Sequence, residues 1–428
     1  MRIVHLAAGA AGMYCGSCMH DNRLVATLRA QGRDVLLVPM YTPIRTDETD
    51  VSTPHVYYGG INVYLQQSLG LFRHTPWLVD RVFDSRPLLN MVSRFAGSTR
   101  PQALGDLTLS VLRGEHGRQR KELAKLVAGL RRLKPDLVHL PNLMFTGIVD
   151  RLKEALRVPV LCTLAGEDIF LDALPQPPRA EVFALIREHA QDVDGFVAPT
   201  AYYARHATQH YSLPADRVHI VSMGIHTQDV AVAAPPKRPF TIGYLARVCP
   251  AKGLAELVRA YVALRRAGRD CRLRAAGYLG SADRPYLDAI HAEVRAAGLT
   301  GSGFEYVGEV TRQQKLEFLQ SLHAFSVPAT YAESKGFYVL EALAAGVPVV
   351  QPQHGAFPEL VEATGGGLLT VPGESADLSD ALGRLMDDEE LRRRLAAAGR
   401  VAVGQRYAID ALAARTWELY ESTVARSG

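Results

Sequence analysis

Glu333 and Glu341 stand in YAESKGFYVLEALAAGVPVV, residues 331–350, with seven residues between them in an otherwise largely apolar run. A carboxylate carried into a core costs several kcal/mol unless donors or cations meet it. Two such acids therefore imply polar partners, and hydroxyl groups are the natural ones for a pair of acceptors. The same stretch predicts a helix, with Gly336 at its start and Gly346 as its stop. The first-turn N–H groups of Gly336, Phe337 and Tyr338 make an anion site, and glycine lets a phosphate approach the backbone closely. Carboxylates alone would repel a phosphate, so cations are needed. YLARVCPAKGL supplies them as Arg247, a planar fork of donors, and Lys252, a compact charge. Cations for a diphosphate beside acids for hydroxyls point to a nucleotide sugar.

Other reactive residues carry competing readings. Cys15 and Cys18 form C-x2-C, open to redox chemistry, half a zinc site, or structural and acceptor-lining thiols. The absence of a second close Cys/His pair favours the last. Asp21 and Asn22, next to His20, can cap the following helix or contact an acceptor. His139, in DLVHLPN, is either a core-edge histidine or a ligand group. LGLFRHTPWLVDRVFDSRPLLNMVSRF mixes Phe72, Trp77 and Leu78 with arginines, which fits internal packing of an insertion, an acceptor groove or weak peripheral membrane contact. RGEHGRQRKELAKLVAGLRRLK is basic, but its apolar spacing is that of an amphipathic helix, so no nucleic-acid partner is expected.

The elements that must position these residues alternate between short apolar runs and helix-period segments, the pattern of α/β units on parallel sheets. In the first half the strand candidates are RIVHLAA, DVLLVPM, DLVHLP, VPVLCTL and GFVAPT. The helix HDNRLVATLRAQG lies between the first two, and the stretch 42–133 is irregular. QDVAVAAPPKR, 228–238, breaks the pattern with Pro235 and Pro236 and reads as a linker. TIGYLAR, RLRAAGY, FEYVGEV, FSVPATY and PVVQPQ form a second series, with helices near Leu254–Ala267 and Thr311–Leu322. Ligands bind open α/β sheets beyond the carboxyl ends of their strands. Arg247, Lys252 and Glu333 all fall at such ends.

The 428 residues suit two or three domains. At 48% hydrophobic and 21% charged, the composition is that of a globular protein with large cores. A net charge of +4 is too mild to argue for nucleic acid. Five cysteines, too few for a disulfide framework and odd in number, favour reduced thiols and a cytoplasmic setting. MRIVHLAAGAAG reads as a first strand entering a glycine loop rather than as a signal peptide, and no apolar run approaches a membrane span.

These residues also resemble a known family. Glu333 and Glu341 are similar to the E-x7-E motif of the retaining family 4 glycosyltransferases. ARVCPAKGL resembles that family's R-x4-K-G-like segment, and RVHIVSMGIH its strand and glycine before the linker. GGINVYLQQ resembles the N-domain of this group and of glycogen synthases. The resemblance implies a GT-B fold: two Rossmann-like doubly wound domains facing across a cleft. Residues 1–228 would bind acceptor and 239–405 the nucleotide sugar. The last helix, 406–428, would cap the second domain or cross back to the first.

Carried over residue by residue, the resemblance has Arg247 and Lys252 bind the donor diphosphate, Glu333 the donor-sugar hydroxyls and Glu341 the ribose. Gly336 and Phe337 would present backbone donors, Gly308 and Val310 would lie near the base, and Gly16 would touch the phosphate. It implies no metal and no cofactor, because protein cations replace Mg²⁺. The family often carries a histidine after the strand VLCTLAGEDIF; Ala165 stands there, followed by Gly166, Glu167 and Asp168. Glu167 or Asp168 is read as taking over a hydroxyl contact. The acceptor side would then comprise His20, Asp21, Asn22, His139 and Glu167.

The expected activity is sugar transfer from a nucleoside diphosphate donor, with retention, to a glycan, lipid or small-molecule acceptor. Retention rests on the resemblance and on the lack of a sharply placed general base. Two other readings stay open: another GT-B nucleotide-sugar enzyme, epimerase-like or phosphorylase-like, and a catalytically silent nucleotide-sugar-binding subunit.

Overall fold

The computed structural model describes residues 1–9, 15–68, 72, 101–228, 230, 238–299, 301 and 303–427. The chain divides into two compact units: Met1–Gly224 with Asp410–Gly428, and Ile225–Ile409.

The first unit holds a six-stranded parallel sheet, β1 (Arg2–Ala7), β2 (Asp34–Pro39), β3 (Leu137–Leu140), β4 (Val160–Thr163), β5 (Gly195–Ala198) and β6 (Val218–Ile220). Its spatial order is β2-β1-β3-β4-β5-β6. Parallel sheets are covered on both faces, which is why the strands read as continuous apolar runs. Ile3, Val4 and Leu6 in β1 and all four residues of β3 are buried. The helix Arg120–Leu133 buries Leu123, Leu126, Val127 and Leu130 on one face, as its 3.6-residue spacing requires. The irregular-looking stretch also contains the helices Gly60–Ser68 and Pro101–Leu112. Most of 69–95, the aromatic and arginine segment, and much of the 228–238 linker lie outside the described residues.

The last helix, Ile409–Ser427, belongs to this unit from Asp410 onward. Leu412, Thr416, Tyr420 and Thr423, at three- and four-residue spacing, are buried along it. Arg33 lies over the ring of Trp417, 4.7 Å from its centroid.

The second unit repeats the plan with β7 (Phe240–Leu245), β8 (Cys271–Ala276), β9 (Phe304–Gly308), β10 (Ala324–Phe325), β11 (Val349–Pro352) and β12 (Gly367–Thr370). The spatial order is β12-β11-β10-β7-β8-β9. The connection therefore reverses direction between β7 and β10, the topological switch point at which open α/β sheets place ligands. Of the expected strand FSVPATY, one residue, Phe325, takes part in the ladder, beside Ala324 just before it. Pro328, lacking an N–H, follows closely. Among the described residues no helix is long and apolar enough to cross a membrane.

Candidate functional site

At the switch point of the second unit, the loop leaving β7 meets the loop leaving β10. Gly253, with φ 72°, begins the helix Leu254–Arg266, and a Cβ there would lie 1.8 Å from the carbonyl oxygen of Pro328. Only glycine permits both the left-handed backbone and that approach. The Thr330 N–H donates to the Ala251 carbonyl at 3.0 Å, a second tie between the loops. Lys252 is thereby carried to Glu333: Nζ donates to Oε2 at 2.5 Å and to the Tyr331 hydroxyl at 2.5 Å.

Glu333 is buried. Its Oε2 also accepts from the hydroxyls of Tyr331, at 2.9 Å, and Tyr338, at 3.1 Å. Burial raises the Glu333 carboxyl, but the Lys252 charge and these donors outweigh it and hold it at about 2. Oε1 receives the Lys335 N–H at 3.3 Å and keeps acceptor capacity. Lys252 has three N–H bonds and spends two, leaving one for an anion. Arg247, five residues earlier, is exposed, with Nε 3.4 Å from the Cys249 sulfur. Gly336, with φ 69°, caps the helix Phe337–Ala344, directing its N-terminus from the loop that carries Glu333.

Glu341 lies one turn further along this helix, and Oε1 accepts from Lys315 Nζ at 2.7 Å. Lys315 belongs to the helix Arg312–Gln320, whose capping box at Thr311 and Gln314 starts directly after Gly308 and Val310. Lys315 and Tyr331 were not singled out in the sequence, and Tyr338 was named only for its backbone N–H, not its hydroxyl. KLEFLQ resembles a solvated helix face, and the tyrosines pass as apolar filler. A cleft of about 550 Å³ among Arg238, Phe240, His323 and Arg392 lies at the opposite, amino-terminal edge of this sheet.

In the first unit, Gly16 opens the helix Gly16–Ala30, and a Cβ there would meet nothing within 4 Å. Packing does not demand glycine at that position. Four of the five acceptor-side candidates turn inward. Asn22 donates to the Thr49 carbonyl and accepts from the Val51 N–H, both at 2.9 Å. Glu167 accepts from the N–H groups of Leu143 at 2.9 Å and Ala165 at 2.6 Å. His139 is bonded at both ring nitrogens, to the Tyr420 hydroxyl and to Thr163 Oγ1, each at 2.9 Å. Asp21 lies 3.3 Å from His5 and 3.5 Å from His20. Burial raises its carboxyl, and the two histidines bring it far below the ordinary carboxylate range. His20 alone of the five keeps partial exposure, 20% of its side chain. Among the described residues no group of three or more His, Cys, Asp or Glu side chains is arranged to hold a metal ion.

Two doubly wound six-stranded parallel sheets, one in each unit, are the architecture of the GT-B fold. The model for "Glycosyltransferase Family 4" matches residues 99–229, and that for "Glycosyl transferases group 1" matches residues 227–402. The chain belongs to the family 4 glycosyltransferases. It is 31% identical to phosphatidyl-myo-inositol mannosyltransferase of Mycobacterium leprae, over 51% of this chain and 56% of that protein. It is 27% identical to D-inositol 3-phosphate glycosyltransferase of Corynebacterium aurimucosum, over 54% and 58%. The chain thus spans about half the length of the curated relatives it matches. In fold it is similar to sucrose-phosphate synthase of Thermosynechococcus elongatus, with TM-score 0.71, 16% identity, and 100% of both chains covered. It is also similar to Anabaena HepE in complex with UDP-glucose, with TM-score 0.67, 17% identity, and 99% and 100% covered.

Proposed function

We propose that the protein transfers a sugar from a nucleoside diphosphate donor to an acceptor hydroxyl, with retention and without a metal ion. The observation that carries this reading is the Lys252–Glu333 pair at the β7/β10 switch point, with Arg247 exposed beside it. Glu333 Oε1 accepts from donor-sugar hydroxyls. The remaining Lys252 N–H and the Arg247 guanidinium receive the diphosphate, and Glu341 holds the ribose. Gly336 and Phe337 add backbone donors, and Gly308 and Val310 border the base. The bond from the sugar's anomeric carbon to the diphosphate oxygen breaks, and the acceptor oxygen bonds to that carbon on the same face. The acceptor proton passes to the departing phosphate oxygen. Charge grows on the diphosphate as it leaves, so fixed cations act where stabilisation matters most.

The named relatives act on phosphatidyl-myo-inositol and on D-inositol 3-phosphate, so inositol-bearing acceptors are the first to test. On this reading the acceptor meets the first unit, where His20 remains partly exposed. A cytoplasmic setting accords with the five free thiols.

The test begins with thermal shifts against UDP, GDP and ADP and their glucose and mannose derivatives, because a ligand bound only by the native state raises the melting temperature. Turnover follows, with phosphatidylinositol and inositol phosphates as acceptors and with the product anomer read by NMR. Stabilisation by one base series, an α-linked product from an α-linked donor, and turnover unchanged in EDTA are expected. No shift with any nucleotide, or stabilisation with neither transfer nor donor hydrolysis, would overturn the reading.

A further inference from the structure

The proposed transfer assigns no chemical step to Cys15 and Cys18, yet they are arranged for chemistry of their own. Cys15 is the N-cap of the helix Gly16–Ala30, with extended backbone at φ −120° and ψ 121°, and Cys18 lies in its first turn. The Met19 N–H donates to the Cys15 carbonyl at 3.0 Å, so the turn is helical from Cys15, and Cα atoms three residues apart on such a turn lie about 5 Å apart. A disulfide needs Cα atoms roughly 4.4–6.8 Å apart, so this turn can close one without unwinding. The Cys18 thiol lies within hydrogen-bonding reach of Cys15.

The two thiols are unequal. Cys15 is partly exposed and Cys18 is 1% exposed. The hydrogen bond with Cys15, then burial, holds the Cys18 proton well above the ordinary thiol range. A helix N-terminus favours a thiolate, and here Cys15 occupies it. An accessible attacking sulfur backed by a buried protonated one is the asymmetry that thiol–disulfide exchange requires. Cys162, Cys249 and Cys271 are all buried and serve as internal controls.

We infer that Cys15 and Cys18 form a reversible dithiol–disulfide couple that reacts with low-molecular-weight disulfides. The Cys15 thiolate attacks one sulfur of the small disulfide, forming a mixed disulfide and expelling one small thiolate. Cys18 then gives up its proton and attacks the Cys15 sulfur, and the second small thiolate leaves. Two protein thiols are oxidised, and one small disulfide is reduced to two thiols. The ring so formed encloses Gly16 and Ser17 and fixes the first turn of the helix.

The full chain, reduced and freed of reductant, is incubated with oxidised glutathione near neutral pH, then alkylated under denaturing conditions and digested with trypsin. Cleavage after Arg2 and Arg23 leaves both cysteines in one peptide. That peptide should have lost two hydrogens and escaped alkylation, while Cys162, Cys249 and Cys271 are alkylated and dithiothreitol restores both thiols. In Cys18→Ala the glutathione adduct should accumulate on Cys15 to at least ~10 times its wild-type level, because the resolving thiol is gone. Retention of both thiols by the wild type, or an equal adduct on Cys15 in wild type and Cys18→Ala, would overturn the couple. If Cys18→Ala fails to fold, the wild-type peptide decides alone: an internal disulfide supports the couple, and a persistent glutathione adduct refutes it.

Discussion

Lys315 Nζ stands 2.7 Å from Glu341 Oε1, joining the helix Arg312–Gln320 to the helix Phe337–Ala344. The lysine side chain is 8% exposed and the glutamate 13%, so the pair is shielded but reachable. A carboxylate fixed by a lysine keeps its second oxygen aimed in one direction, and an orienting charge of this kind preorganises an acceptor for hydroxyls. Glu341 therefore reaches the site with its direction set by a helix 26 residues earlier in the chain.

Glu341→Gln should weaken binding of the free nucleoside diphosphate, because that ligand still carries the ribose. Charge-assisted hydrogen bonds are worth roughly 1.5–3 kcal/mol each, so Kd should rise about tenfold or more. Lys315→Met should produce a loss in the same direction by releasing the carboxylate. Calorimetric titration with the diphosphate measures both. Normal affinity in Glu341→Gln would mean that the acid is held by Lys315 for packing alone.

Arg247→Ala and Lys252→Ala should each lower kcat/KM by at least ~10²-fold, since in the proposed mechanism each removes a charge from the leaving diphosphate. The two variants should differ in stability. Arg247 is exposed, whereas loss of Lys252 strands Glu333 in the core, at a cost of about 3–5 kcal/mol. Steady-state kinetics beside denaturant titration separates the effects. Turnover near wild type in both variants would remove them from the mechanism.

Most strands were legible because both faces are buried, so RIVHLAA and TIGYLAR stand out as apolar runs. β12 was not, because GGLLT opens on glycines and its first three residues are only half-buried. Lys252 and Glu333 were legible as residues at strand ends, but their ion pair was not. It depends on Gly253 passing close to Pro328, a contact between loops far apart in sequence. Asn22 shows the same limit. Beside a helix start it reads as a cap or a ligand group, but it braces residues 49–51. No local pattern encodes that bond.

Tyr420 ties the last helix to the first sheet, its hydroxyl 2.9 Å from His139 Nδ1 and 3.3 Å from His5 Nδ1. Tyr420→Phe should lower stability by about 1–3 kcal/mol, because buried ring nitrogens lose their partner. Burial, then the neighbouring His5, holds His139 well below the ordinary histidine range, so it is neutral in the fold. The stabilisation it confers is present above the unfolded value, about 6.5, and is lost as pH falls below it, because the unfolded chain binds a proton that the native chain refuses. Denaturant titrations at about pH 7 and about pH 5 should show a smaller drop in His139→Gln than in wild type. An equal drop in both would place the acid sensitivity elsewhere.

Glu333 sets a second, lower acid window. Its folded value of about 2 lies below the ordinary 4.5, so the native state favours the ionised form. Its contribution is complete above pH 4.5 and disappears as pH falls toward about 2. The shift corresponds to something on the order of 3 kcal/mol. Glu333→Gln should flatten the stability profile in that window while leaving the histidine-dependent loss at higher pH untouched. The same variant tests function. Its proposed partner is the donor sugar, so affinity for the free diphosphate should stay near wild type while turnover with the intact donor falls. Glu341→Gln should show the opposite order, losing the diphosphate first. If Glu333→Gln loses the free diphosphate as severely as Glu341→Gln does, Glu333 serves mainly to hold Lys252 in place, and the sugar hydroxyls are bound by other groups.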